Sequence, residues 1–208
     1  MIKACLIDIG NVLVSFDYAR TFPRLAPRMP RSLEEIRVHL SEVIEELETG
    51  RLSSDAFVAR AMAFIGGGVS REEFLRAFTE IFEPIEPVWE AVEIIRDAVP
   101  VHLFSNTSEL HERHLFATFP GFSRFHGGFY SWRLGLMKPH AGIYENALRA
   151  LGLPAREIAY IDDLSDNIET GRRLGFNCHQ YDRDRHEDLL RFLGECGLMS
   201  HHVSRQRA

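Results

Sequence analysis

The sequence predicts an α/β protein, a doubly wound parallel sheet whose first strand is separated from the others by a helical insert. Two observations carry that expectation. Short apolar runs that end in polar residues alternate with helical segments beyond Pro100, and one isolated run of the same kind stands at the start, ahead of purely helical patterning from about residue 18 to 98. A βαβα order of this sort requires parallel strands with helices on both faces of the sheet.

The elements follow in order. Ile2–Asp8 is short, apolar and ended by the turn signal Gly10-Asn11, as expected of a buried strand. In "SLEEIRVHLSEVIEELETG", Leu33, Ile36, Leu40, Val43, Ile44 and Leu47 share one helical face, Ser32 with Glu35 makes a capping box, and Gly50 stops the helix. Ser53-Ser54-Asp55 opens a second helix running to Ile65, before the glycines at 66–68. Ser70 with Glu73 caps a third, and about Val88 to Ala98 forms a fourth. "VHLFSN", "GGFYSW" and "EIAYIDD" read as strands. Helices are expected at about Leu110–Phe119, Gly142–Leu151, Ser165–Leu174 and Arg185–Glu195. The domain expectation is a core of residues 1–16 and 99–198, a helical cap of residues 17–98 and a mobile tail of residues 199–208.

Composition limits the function. With 208 residues and 45% hydrophobic content the chain can bury a substantial core. Its 24 Lys and Arg against 30 Asp and Glu give a formal charge of −6, with no concentrated basic groove, so nucleic acid is not an expected partner. No apolar run reaches the roughly 18–20 residues that span a bilayer, and the start lacks a signal-peptide cleavage pattern. No membrane partner and a cytoplasmic location are expected. Cys5, Cys178 and Cys196 form no metal or disulfide spacing. His111 with His114 and His201 with His202 lack a third ligand at zinc spacing and are expected to be solvated. Phe64, Phe74, Phe78 and Phe82 fit a helical core better than a substrate pocket. Nothing in the pattern bears on oligomeric state.

In an open parallel sheet, ligands bind beyond the carboxyl ends of the strands. Those ends carry Asp8, then Ser105-Asn106-Thr107, then Asp162-Asp163, with Lys138 arriving just before a helix. A carboxylate can attack a phosphoryl group to form an aspartyl phosphate. Because both partners are anionic, a Mg²⁺ is needed, and that ion takes oxygen ligands from one or two carboxylates plus phosphate and water. Asp8, Asp163 and the backbone carbonyl of Gly10 are the candidate ligands. Ser105 and the amides after it, at Asn106 and Thr107, would hold phosphoryl oxygens, and Lys138 would offset developing charge.

The segments "DIGNV", "FSNT", "LGLMKP" and "IDDLSDN" stand in the order of the four motifs of the haloacid dehalogenase superfamily, which the chain resembles over all but its last dozen residues. The Gly-Asn first motif and "ETGRLSSDAF" are similar to those of its small sugar-phosphate phosphatases and of the phosphatase domain of bifunctional epoxide hydrolases. The resemblance implies a Rossmann-like core with a C1-type cap and Mg²⁺-dependent hydrolysis of a small phosphorylated metabolite. It makes Asp8 the nucleophile, Ser105 the phosphate-binding hydroxyl, Lys138 the charge-balancing lysine and Asp163 the metal ligand. Asp162 becomes a supporting or water-mediated partner, and Asn167 orients Lys138 or a metal-bound water.

Gly10 departs from the family pattern, because most phosphatases of the superfamily carry there a second Asp that protonates the leaving oxygen and activates water. Three consequences stay open: a substrate with a good leaving group, such as a sugar 1-phosphate or an acyl phosphate; a stand-in from a cap residue or from a water on Asn11 or the metal; or a fold that binds phosphoesters without turnover. A 2-haloacid dehalogenase is the enzymatic rival, but without a metal it has little reason to gather Asp162 and Asp163.

Overall fold

The computed structural model describes residues 1–199, so positions 200–208 of the expected tail, with His201 and His202, lie outside the described residues. In chain order the elements are β1 (Ala4–Ile7), β2 (Val14–Phe16), α1 (Leu33–Glu48), α2 (Ser54–Ile65), α3 (Arg71–Thr79), β3 (Phe82–Pro84), α4 (Glu86–Ala98) and β4 (Val101–Ser105). They continue with α5 (Glu109–Thr118), β5 (Gly128–Tyr130), α6 (Ser131–Leu134), α7 (Ala141–Leu151), β6 (Ile158–Asp162), α8 (Ser165–Arg173), β7 (Asn177–Gln180) and α9 (His186–Glu195). The main sheet is parallel throughout, in the order β5-β4-β1-β6-β7.

Strand alternation divides the sheet's apolar residues between two layers. Cys5, Ile7, Leu103, Ala159 and Ile161 face a core closed by α4, α5 and α9, whereas Leu6, Phe104, Ile158 and Tyr160 face one closed by α7 and α8. Because both faces are covered, the strands read as continuous apolar runs. β7 escaped the sequence analysis. It is an edge strand of sequence NCHQ, half-exposed, with no apolar run to mark it. "GGFYSW" is also shorter than expected, with only Gly128–Tyr130 in the sheet and Ser131 already starting α6.

The helices α1, α2 and α3 surround a third apolar core, built on Ile36, Leu47, Phe57, Ile65, Phe74 and Phe78. Both predicted capping boxes form, Ser32 with Glu35 and Ser70 with Glu73. Helix α4 belongs elsewhere. Its Val88, Ala91, Val92 and Ile95 pack under the sheet, so it is part of the core layer and not of the helical unit expected over 17–98. Helical periodicity reveals that a helix has a buried face, but not which of two cores buries it. The stem of the helical unit is an antiparallel ribbon in which Phe16 pairs with Phe82; three-residue strands are too short to leave a sequence signal. Among the described residues no helix is long and apolar enough to cross a membrane.

One seam between the two units is polar. His111 on α5, expected to be solvated, is buried, and its Nε2 lies 3.0 Å from the Phe78 carbonyl at the end of α3. Its ring also stacks on Phe78. Burial pushes its pKa down to about 4. The unfolded chain therefore binds a proton that the native state refuses, at pH below the ordinary histidine value near 6.5. The contribution is complete above about pH 6.5 and is lost progressively as pH falls toward 4, by an amount on the order of 1–3 kcal/mol. Urea unfolding at pH 7 and pH 5 should show wild type losing more stability than His111→Gln; parallel losses would contradict this assignment.

Candidate active site

Asp8, Ser105, Asp162 and Asp163 stand at strand ends, and Lys138 lies on the segment between α6 and α7. Asp8 follows β1 directly, its N–H donating to the Ile161 carbonyl at 2.9 Å, which sets the carboxylate beyond the sheet and between β4 and β6. The buried Lys138 ammonium lies 2.8 Å from Asp8 Oδ1 and 2.5 Å from Asp162 Oδ2, and donates to the Phe104 carbonyl at 2.7 Å. Its backbone is held separately: the Lys138 N–H donates to Asn106 Oδ1 and Asn106 Nδ2 donates to the Lys138 carbonyl, both at 2.8 Å. The lysine is thus fixed at its head and at its Cα.

Asp162 is saturated. Its Oδ2 accepts from Lys138 and from the Tyr160 hydroxyl at 2.6 Å; its Oδ1 accepts from the Leu164 N–H and from Asn167 Nδ2, each at 2.9 Å. Tyr160 reaches it because residues two apart on a strand share a face. The Tyr144 hydroxyl in turn donates to the Asn167 carbonyl at 2.9 Å. Asp163 points elsewhere and is part-exposed, with Oδ2 accepting from Asn11 Nδ2 at 3.1 Å. Asn11 adopts φ +52°, a left-handed conformation that asparagine tolerates, and this turn directs its amide at Asp163.

Carboxylate oxygens of Asp8, Asp162 and Asp163 lie within 4.8 Å of one another, against one lysine. Burial, with the neighbouring carboxylates adding, raises Asp8 to about 7, although Lys138 opposes it. Burial likewise raises Asp163. Asp162 goes the other way: burial acts against its charge, but Lys138, Tyr160 and Asn167 outweigh it and hold it below the ordinary carboxylate value. For Lys138, burial is overcome by Asp8 and Asp162, which keep it firmly protonated. With Asp162 committed to protein donors, Asp8 and Asp163 remain as oxygen donors with excess negative charge between them. Such a pair fits a hard divalent cation. The Gly10–Val14 bridge uses the Ile9 carbonyl and the Asn11 N–H, leaving the Gly10 carbonyl outside it.

Two sequence expectations change. Asn106 was expected to act through its backbone amide, and its side chain is committed to the Lys138 backbone. The Thr107 N–H, expected to meet phosphoryl oxygen, donates to Ser131 Oγ at 2.9 Å. Asn167 touches Asp162 and reaches Lys138 only through it. Ser105 is buried at the end of β4, with only a long 3.3 Å bond to the Asn106 carbonyl. Sequence reasoning missed Tyr160, Tyr144, Ser131 and Phe16. A hydroxyl in the otherwise apolar "IAYID" was the available signal for Tyr160. Phe16 bears on Gly10, since a Cβ added there would lie 3.2 Å from the Phe16 ring, so aromatic surface covers the place of a longer side chain. A cavity of about 400 Å³ opens in the helical unit between Tyr18, Phe22, Ile36, Leu40, Ile44 and Phe78; none of the site's carboxylates lines it.

The chain is thus a parallel α/β protein with a buried aspartate, a lysine and further carboxylates gathered at its strand ends. Residues 2–175 match the haloacid dehalogenase-like hydrolase family, and the chain belongs to that family. Among curated relatives, a D-ribitol-5-phosphate phosphatase of Bacteroides thetaiotaomicron is 27% identical over 86% of this chain and 92% of its own length. A drimenol cyclase of Aspergillus calidoustus is 25% identical over 84% of this chain, which spans only 33% of that protein. Among solved structures, a haloacid dehalogenase family enzyme of Bacteroides thetaiotaomicron in its magnesium complex superposes with a TM-score of 0.79 at 21% identity, covering 91% of this chain and 98% of that one. An L-2-haloacid dehalogenase of Xanthobacter autotrophicus superposes at 0.61 and 17% identity, over 96% of this chain and 85% of that one. Both likenesses are likenesses of fold.

Proposed function

We propose that the protein is a Mg²⁺-dependent phosphomonoesterase acting on a small phosphorylated metabolite, with residues 17–85 forming a cap over the core. The observation that carries this reading is the surplus of carboxylate at the strand ends: among the described residues, Asp8, Asp162 and Asp163 gather around a single ammonium, Lys138, which Asp8 shares with the saturated Asp162. Asp8, Asp163 and the Gly10 carbonyl would hold the ion. When bound, it would offset phosphoryl charge and draw the ester toward Asp8.

The chain's own groups do the rest. A carboxylate oxygen of Asp8 attacks phosphorus in line, the P–O ester bond breaks and the alcohol leaves with a proton. Water then attacks the aspartyl phosphate, releasing phosphate and restoring the carboxylate. Lys138, pinned by Asn106 and Asp162, stabilises the charge that develops on the transferring group, and the Ser105 hydroxyl contacts a phosphoryl oxygen. The relative named for D-ribitol 5-phosphate supports a polyol or sugar phosphate as the substrate class.

A panel of phosphomonoesters assayed with and without Mg²⁺ tests the reading. Release of phosphate should disappear with chelator and return with Mg²⁺. Asp163→Asn should raise the Mg²⁺ concentration for half-maximal rate by about 10- to 100-fold. Chloride release from a 2-haloacid in the presence of chelator, with no phosphatase activity, would instead favour the dehalogenase. Tight binding of a phosphoester without turnover would favour a binding protein, the reading that Gly10 supports.

A further inference from the structure

Gly10 leaves the proposed reaction without its usual proton donor, and the helical unit lowers one acid toward the site. Helix α1 ends at Glu48, and the turn after it is wedged against the core. Gly50 has φ +68°, and a Cβ there would overlap the Trp132 carbonyl of α6, so only glycine allows this close approach. The same short helix supplies Ser131, which holds the Thr107 amide beside Ser105, and the chain continues from it to Lys138. A second tie lies just beyond the turn, where Ser54 Oγ donates to Glu109 Oε2 at 2.7 Å. These contacts fix the Glu48 end of α1 on the rim of the catalytic strand ends.

Among the described residues no cation forms an ion pair with this carboxyl group. The nearby cations are engaged elsewhere, Arg133 with Glu112 at 2.5 Å and Arg51 with Glu45 at 2.8 Å. Glu112 itself is closed off by Trp132 Nε1. The charged and titratable groups that act on Glu48 are Asp8, from across the site, and Tyr18, from the entry to the helical unit. Burial, with Asp8 adding, raises its pKa to about 7, so a proton is held near neutrality. Glu48 is part-buried, whereas Glu42 and Glu45 on the same helix are exposed.

We propose that Glu48 is the general acid–base of the reaction, supplied by the cap in place of the residue absent at position 10. Protonated Glu48 gives its proton to the leaving oxygen as the P–O ester bond breaks. The resulting carboxylate then takes a proton from the water that attacks the aspartyl phosphate, which yields inorganic phosphate and restores the acid. Because Glu48 sits on the cap, full chemistry requires the cap to be seated, which couples proton transfer to closure. The inference rests on the phosphatase reading.

Glu48→Gln keeps size and polarity and removes the proton. With Mg²⁺ present, it should lower kcat/KM for an alkyl phosphate by about 10²- to 10⁴-fold. For p-nitrophenyl phosphate, whose leaving group needs no proton, kcat/KM should fall by about tenfold or less. Wild type should lose activity on the alkyl phosphate as pH rises through the Glu48 titration, and this limb should vanish in the variant. A melting curve matching wild type assigns the loss to chemistry. Equal losses on both substrates, or an unchanged rate and pH profile on the alkyl phosphate, overturn the assignment while leaving the phosphatase intact. If wild type releases no phosphate from either ester, the phosphatase reading fails and this one with it.

Discussion

Asp8→Asn should abolish phosphate release, by at least about 10⁴-fold as for loss of other enzymic nucleophiles, and leave a protein that is as stable as wild type or more so. The two halves of that result come from one cause. Asp8 is a buried carboxylate facing Asp162 and Asp163, so its native pKa stands above the ordinary value. A carboxyl raised on folding weakens the native state wherever pH exceeds its unfolded pKa, because the folded protein must either hold an unfavourable charge or take up a proton. The neutral amide removes that penalty, and Lys138 still keeps Asp162 as a partner. In metal-free buffer near pH 8 the expected gain is about 1–3 kcal/mol. Chemical denaturation alongside a phosphate-release assay measures both quantities. A variant that is inactive and much less stable would show that Asp8 holds the fold together, and its inactivity would then say nothing of chemistry.

Lys138→Met should have the opposite balance. The ammonium is the only side-chain cation between Asp8 and Asp162 among the described residues, and it is buried with both. Removing it strands two carboxylates in a poorly solvated place, which costs about 3–5 kcal/mol. Part of that loss should return when Asp8→Asn is added, since the double variant leaves fewer charges unpaired. A thermodynamic cycle over the two positions should therefore give a coupling of about 0.5–3 kcal/mol. Independent, additive effects would mean that Lys138 is held by Asp162 alone and that its approach to Asp8 has no energetic weight.

The gathering of polar residues at one edge of the sheet was legible in the sequence where a strand end announces it. Asp8, Ser105, Asp162 and Asp163 each close an apolar run, and the parallel topology brings such ends together whatever the intervening lengths. Roles that depend on which partner an amide or hydroxyl finds were not legible. Asn106 and Asn167 carry interchangeable donors and acceptors, and only the fold decides that one takes the Lys138 backbone and the other Asp162. His111 shows the same limit: beside His114 on a polar helix it reads as solvated, yet its buried position is set by Phe78, far away in sequence. Glu48 was hidden because a carboxylate at the end of an acidic helix resembles its exposed neighbours until the turn at Gly50 is seen pressed against Trp132.

The β2–β3 ribbon bears on how such a protein can be remade. The whole helical unit enters after Phe16 and leaves before Phe82, and those two residues are directly paired, so entry and exit are only about 4.5–5.5 Å apart at Cα. A replacement segment of any internal design has one geometric condition to meet, that its two ends fit a single residue pair. The sheet beneath would receive it with strand order and register unchanged. Recombination, natural or engineered, can therefore exchange the helical unit while the order and register of the strands beneath it stay the same.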